Sequence, residues 1–218
     1  FGYDDFKIEM SFIDSMRLKV PGKEKDAFGN DVLVPVKTVI QYLSGNLLID
    51  NPNNKSGLKD YNEYPIFNSL RDSYVFYDKP SIQNGVYKKD NFYFHLEPFS
   101  VDSLNSFDPS GMGLKGTFIS AGIFPDFDEE LRLQPDFSLG FVRPTPDAGF
   151  PVYGNKGTYL NIINMSHEGL RGDGELRYVT SVAKSNNFYF YPDSVNAIVQ
   201  DYEVKAQGKP IEFPHVVG

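Results

Sequence analysis

Over residues 6–13 the chain alternates apolar and polar side chains, Phe-Lys-Ile-Glu-Met-Ser-Phe-Ile. A period of two sends successive side chains to opposite faces and predicts a β-strand. Residues 17–20 continue as a short strand, and the polar stretch 23–31 holds a turn at Gly29-Asn30. Residues 32–50 are long and β-branched, interrupted by Pro35 and Gly45. Proline has no N–H to give a ladder, so Pro35 predicts an edge or a strand start. Residues 51–63 show no periodicity and predict an exposed connection. Two aromatic arms, 74–77 and 87–96, flank Asn84-Gly85, a dipeptide suited to a tight hairpin turn. In the second arm Phe92, Phe94 and Leu96 face one way, Tyr93 and His95 the other.

Residues 100–107 are the one stretch that reads as a short helical turn. Residues 117–124, 131–142, 157–164, 175–182, 187–191 and 195–206 all read as extended. The sum is roughly ten to twelve strands at even spacing, which predicts an all-β chain. The architecture expected is sandwich-like or built of stacked β units, with a β-solenoid or an open β groove as the alternative. A phrase occurs twice, Gly113-Leu114-Lys115-Gly116 and Gly169-Leu170-Arg171-Gly172. Each opens an aromatic-rich stretch that ends in a Pro-Asp corner, Phe124-Pro125-Asp126 and Tyr191-Pro192-Asp193. Tyr64-Pro65-Ile66-Phe67 and Phe150-Pro151-Val152-Tyr153 form a second echo, so the repetition is irregular. The whole chain, 1–218, reads as one β-rich segment of a larger protein, with a subdivision expected near 144–151 if there is one.

Composition sharpens this picture. The apolar residues are unusually aromatic, 19 Phe and 14 Tyr with no Trp, which suits pleated surfaces. A net charge of −8 argues against nucleic-acid binding and against docking on an anionic membrane through a basic surface. No apolar run is long enough to span a bilayer as a helix. With no Cys, disulfides and thiolate chemistry are excluded. The start at Phe1, directly followed by strand-like pattern, predicts a mature piece or a fragment.

Candidate chemistry is sparse. Asp126, Asp128, Glu129 and Glu130 gather in one short stretch, and hard cations want several oxygens, so Asp126, Asp128 and Glu129 are candidate Ca²⁺ ligands. A solvated acidic turn is the simpler reading. No other cofactor is expected. His95, His167 and His215 have no metal-ligand spacing, and Ser103, Ser166 and Ser194 lack a nucleophile elbow. Gly111-Met112-Gly113 lacks the Lys-Ser/Thr pair of a phosphate loop. Exposed Tyr and Phe could stack on sugars, although such surfaces often use Trp. Catalysis is not expected; a glycan hydrolase would need two facing carboxylates, with Asp126, Asp128 and Glu129 the first candidates.

Three Asp-Ser-aliphatic triplets place Ser15, Ser103 and Ser194 as candidate O-glycosylation acceptors, and Asp-Ser also simply opens turns. Several phrases resemble segments of very large envelope or secreted proteins of Bacteroidota. They include Tyr42-Leu43-Ser44-Gly45-Asn46-Leu47-Leu48-Ile49-Asp50, Ser120-Ala121-Gly122-Ile123-Phe124-Pro125-Asp126 and Phe190-Tyr191-Pro192-Asp193-Ser194. Gly169-Leu170-Arg171-Gly172-Asp173-Gly174-Glu175-Leu176-Arg177-Tyr178 belongs with them. The resemblance implies an exported protein, periplasmic, associated with the outer membrane or at the cell surface. It carries over no catalytic motif. The function expected is a non-catalytic structural or interaction module that contacts other segments of the same large protein or other envelope proteins. A β groove carrying lipid is the alternative, and a carbohydrate-binding or glycan-hydrolysing module the second.

Overall fold

The structure, a computed structural model, describes residues 4–104 and 113–204. Among them are seventeen strands and a single 3₁₀ turn, so the protein is all-β. The strands are β1 (Lys7–Met16), β2 (Lys19–Lys25), β3 (Asp31–Pro35), β4 (Ile40–Leu48), β5 (Ile66–Ser69) and β6 (Ser73–Phe76). Then come β7 (Phe92–Leu96), β8 (Ser100–Val101), β9 (Leu114–Ser120), β10 (Phe127–Leu133), β11 (Leu139–Pro144) and β12 (Phe150–Val152). The last are β13 (Gly157–Ser166), β14 (Gly169–Tyr178), β15 (Ser181–Phe190), β16 (Val195–Ala197) and β17 (Asp201–Val204). β2 and β3 form a separate hairpin, and the other fifteen belong to one antiparallel sheet that does not close into a barrel.

The strands outnumber the sequence expectation because the pattern does not predict β5, β8 and β12, 195–206 divides into β16 and β17, and 131–142 is a hairpin; 175–182, which also reads as continuous, crosses a turn. Residues 131–142 divide into β10 and β11 around a turn in which Phe137 takes φ 63° and donates to the Gln134 carbonyl at 2.9 Å. Residues 175–182 cross from β14 to β15 at Val179, φ 53°. Ser100 and Val101 form β8 rather than a helical turn, and residues 105–107 of that expectation lie outside the described residues.

The described residues divide into two compact units. The first draws on the chain up to Phe76, on Phe94–Thr117 and on Glu129–Leu139; the second on Tyr77–Tyr93, Phe118–Asp128 and the chain from Gly140. The stretch 144–151 lies within the second unit, where it links β11 to β12.

In the first unit, Ile40, Leu43, Phe67, Val75, Phe94, Leu96, Leu114 and Leu131 are buried. Gly45 lets Phe67 lie against the backbone, because a Cβ there would stand 2.5 Å from the Asn68 carbonyl oxygen and 2.6 Å from the Phe67 ring. The β2–β3 hairpin turns on Asp26, whose carboxylate accepts from the Phe28 and Asn30 amides at 2.8 and 2.9 Å. Pro35 ends β3, an edge strand, where its missing N–H disturbs no ladder. The loop 51–63 is mostly exposed but tied at Asn54, which donates to Asp50 Oδ2 and to the Lys59 carbonyl, both at 2.7 Å.

The second unit is held by aromatic rings. Phe92, Phe118, Phe124, Phe141, Tyr159, Phe188 and Phe190 are 0–2% exposed. Phe118 meets Phe92 and Phe141 edge-on at 5.4 and 5.0 Å, Phe127 stacks on Phe150 at 5.4 Å, and Phe124 meets Phe190 at 5.0 Å. Each buried ring contributes about 1.5–3 kcal/mol by leaving water, and such pair geometries add about 0.5–1.5 kcal/mol each. Among the described residues eleven of the 19 Phe but only three of the 14 Tyr are buried, so the Phe surplus serves chiefly as core and the Tyr surplus does not.

Two details of the alternation depart from expectation. Between Met10 and Ile13 of β1 two residues, Ser11 and Phe12, face the single Ser44 of β4. This bulge reverses the phase, so Phe12 turns out to solvent instead of joining Ile8 and Met10. And Asn84-Gly85 does not make a tight hairpin. β6 and β7 are sheet neighbours, but residues 77–91 join them, with Gln83, Asn84 and Gly85 all at positive φ in the 3₁₀ turn. Tyr87 belongs to that connection and not to the strand.

Candidate functional site

The acidic stretch opens β10. Asp126 and Asp128 are exposed and Glu129 is half-buried. Asp128 and Glu129 are consecutive residues of an extended strand, so the pleat points them to opposite faces. Glu130 is engaged by Arg132 at 2.8 Å, and the Asp128 carbonyl accepts from Arg143 at 2.8 Å. Arg143 in turn lies over the Phe127 ring at 4.6 Å. Among the described residues no three His, Asp or Glu side chains converge as a metal site.

The candidate glycosylation acceptors stand apart from one another. Ser15 is exposed on β1, and Ser194 is exposed after the Tyr191-Pro192-Asp193 corner, its hydroxyl 3.0 Å from Asp193. Ser103 is half-buried and donates to the Asn62 carbonyl at 2.8 Å. Ser166 is buried in the β13–β14 turn, where its hydroxyl accepts from the Glu168 amide at 3.1 Å. His167 occupies that same turn, and His215 lies outside the described residues.

The best-formed surface constellation belongs to the first unit. His95 Nε2 lies 3.1 Å from Asp72, and its ring stacks on Tyr74 at 5.1 Å. Tyr74 stacks beside Phe76 at 5.7 Å, and Tyr42 meets both rings edge-on at 6.3 and 6.0 Å. Tyr42 is held at φ 63° and is 40% exposed. β4 pairs β6 in the register Gln41 opposite Tyr74, which brings Tyr42 near residues over thirty positions away. Tyr42 and Tyr74, backed by the buried Phe76 and bordered by a carboxylate and an imidazole, can stack on a flat ligand and hydrogen-bond its rim. The period-two pattern places His95 and Tyr93 off the core face, but the meeting with Tyr42 and Asp72 depends on register and left no mark in the sequence.

In the second unit the 77–91 connection is fastened by polar contacts. The Tyr87 hydroxyl donates to the Phe190 carbonyl at 2.9 Å and accepts from the Leu170 amide at 3.0 Å. Gln83 donates to the Glu168 carbonyl at 2.7 Å and accepts from the Tyr191 hydroxyl at 2.8 Å. The Tyr153 hydroxyl reaches the carbonyls of Tyr191 and Ser194 at 2.9 and 2.8 Å. Burial raises the pKa of Tyr87, Tyr153 and Tyr159 well above the ordinary tyrosine range, so all three stay neutral donors. A depression of about 200 Å³ lies between the Gly122–Pro125 corner and Pro151, Gly154 and Asn155, and it presents no charged side chain.

No family model, no curated protein and no solved structure matches this chain. No helix among the described residues is long and apolar enough to cross a membrane.

Proposed function

We propose that this chain is a non-catalytic structural and interaction module of a large exported envelope protein. The observation that carries the structural part is the closure of the apolar face. An open lipid groove and a closed core share the same strand alternation, and they differ in whether the inward Phe and Leu side chains reach solvent. Phe94, Leu96, Leu114, Phe118, Leu131 and Phe190 are all 0% exposed, which favours a core over a groove. The exported part rests on the phrases around Tyr42–Asp50 and Gly169–Tyr178. Native mass spectrometry of the protein recovered from its own host tests both parts. A bare chain or one bound to protein supports the module, and added sugar mass on Ser15 or Ser194 supports export. Stoichiometric lipid would overturn the closed-core reading.

A second reading, carbohydrate binding, is favoured by the Tyr42–Tyr74–His95 face and its Asp72 rim. Its test is a glycan array followed by Tyr42→Ala. Retention of a glycan by the variant would remove this face from consideration.

A further inference from the structure

A strand at the edge of a sheet offers a row of unpaired backbone N–H and C=O groups, and proteins blunt such edges with shortness, charge or proline. Most free edges here are blunted in these ways. β8, β12 and β16 have two, three and three residues, β17 is four residues with Asp201 and Glu203, and β3 ends in Pro35. β2 carries Pro21 and the charges of Lys19, Lys23, Glu24 and Lys25. β1 also carries charges, Lys7, Glu9 and Asp14, and a bulge, but it is the longest of these edges. It runs ten residues, pairs with β4 along one side, and has no ladder partner on the other among the described residues. Its apolar residues are Ile8, Met10, Phe12, Ile13 and Met16, with Phe12 68% exposed.

Resting on the reading of the chain as an interaction module, we propose that β1 is its docking surface. The occupant is β1 of a second copy, paired antiparallel about a two-fold axis. A two-fold contact requires a self-complementary patch, and β1 has one. Setting Lys7, which within the chain already pairs with Glu9 at 2.9 Å, opposite Asp14 of the other copy also sets Asp4, 3.9 Å from Lys55 of its own chain, opposite Arg17, and Ile8 opposite Ile13. Slipping by one residue puts Lys7 against Ile13 or Ile8 against Asp14. Slipping by two puts Asp14 against Asp5 or Glu9, opposing like charges.

The bulge brings the isoleucine pair of this register onto one face. Ile8 and Ile13 are an odd number of residues apart and would lie on opposite faces of a regular strand. Here they lie opposite Leu47 and Leu43, which are an even number apart on β4. The bulge therefore returns both isoleucines to one face, where they meet across the two-fold axis.

Sedimentation equilibrium of the 218-residue chain at low salt is the test. The expected result is a mass that rises with concentration toward two chains and falls again as salt screens the charge pairs. Lys7→Asp or Asp14→Lys alone places like charges opposite each other twice per dimer and should weaken association at least tenfold. The double reversal, Lys7→Asp with Asp14→Lys, should restore it. Because the chain has no Cys, mixing Glu9→Cys with Phe12→Cys under oxidation should yield a disulfide-linked pair, whereas neither alone should. A wild-type chain that stays monomeric at every concentration overturns the proposal. So does a double reversal that remains folded by circular dichroism but fails to restore association. Either failure leaves the native-mass test of the module reading unaffected.

Discussion

The Tyr87 hydroxyl donates to the carbonyl of Phe190, 103 positions away in the chain, at 2.9 Å. The same oxygen accepts the Leu170 amide, so one phenol satisfies two buried backbone groups from β14 and β15. It is the bolt that ties the long β6–β7 connection to those strands, while its ring stacks on Phe92 at 3.9 Å.

Tyr87→Phe keeps the ring and removes the bolt. The Leu170 donor and the Phe190 acceptor would both lose a partner, at a cost of about 1–3 kcal/mol. Chemical denaturation should show that loss with little change in the slope of the transition. An unchanged midpoint would mean that water replaces the hydroxyl.

Alkaline pH tests the same interior. An unfolded tyrosine ionises at about pH 10, whereas burial raises the folded values of Tyr87, Tyr153 and Tyr159. Groups with raised folded values contribute stability that is full below the unfolded value and is lost as pH climbs above it. Stability should therefore fall above about pH 10. Phenolate absorbance should appear in two stages, exposed tyrosines first and the buried set only with unfolding.

At the other end of the pH scale, Asp26 is held below the ordinary aspartate value of 3.8, chiefly by the Asn30 amide. A lowered folded value contributes stability above 3.8 that is lost as pH falls through the folded value. The effect is confined to the β2–β3 turn. Amide exchange at Phe28 and Asn30 should quicken in acid, and Asp26→Ala should produce the same change at neutral pH.

The paired Gly-Leu-basic-Gly phrases make a steric prediction. A Cβ on Gly116 would overlap the His95 carbonyl oxygen, and one on Gly172 would overlap the Tyr159 hydroxyl. Gly116→Ala meets backbone that cannot swing aside and should cost about 1–3 kcal/mol or more as overpacking. Gly172→Ala meets a side chain and should cost less. Thermal melts of the two variants give the comparison.

For the acidic stretch, the opposed directions of Asp128 and Glu129 predict that added Ca²⁺ or a chelator leaves the melting temperature unchanged. A Ca²⁺-dependent rise, abolished by Asp126→Asn, would restore these carboxylates as ligands.

Much of the fold was legible from local pattern. The alternation of Phe92, Phe94 and Leu96 against Tyr93 and His95 placed one set in the core and the other off it, because a strand's period leaves no other choice. The Pro-Asp corners mark the β9–β10 and β15–β16 connections. Each Gly-Leu-basic-Gly phrase sits at a strand start with its Leu fully buried. The second copy, however, reaches its corner through two strands and the first through one, so similar phrases do not mark equal units.

Local pattern could not tell where one strand stops and its partner begins, since Val179 and Phe137 turn the chain at positive φ without glycine's help. Nor could it place Phe12, whose direction depends on β1 having one residue more than β4 across the bulge. The sequence by itself determined that the chain is β and which side chains prefer its interior, because pleat and hydrophobicity act within a few residues. Tertiary structure alone decided that Tyr42 meets Tyr74, that Tyr87 bolts a loop rather than joining a strand, and that β1 has a ladder partner on one side only among the described residues. Those outcomes depend on register between segments tens of residues apart, and a single sequence carries no direct signal of it.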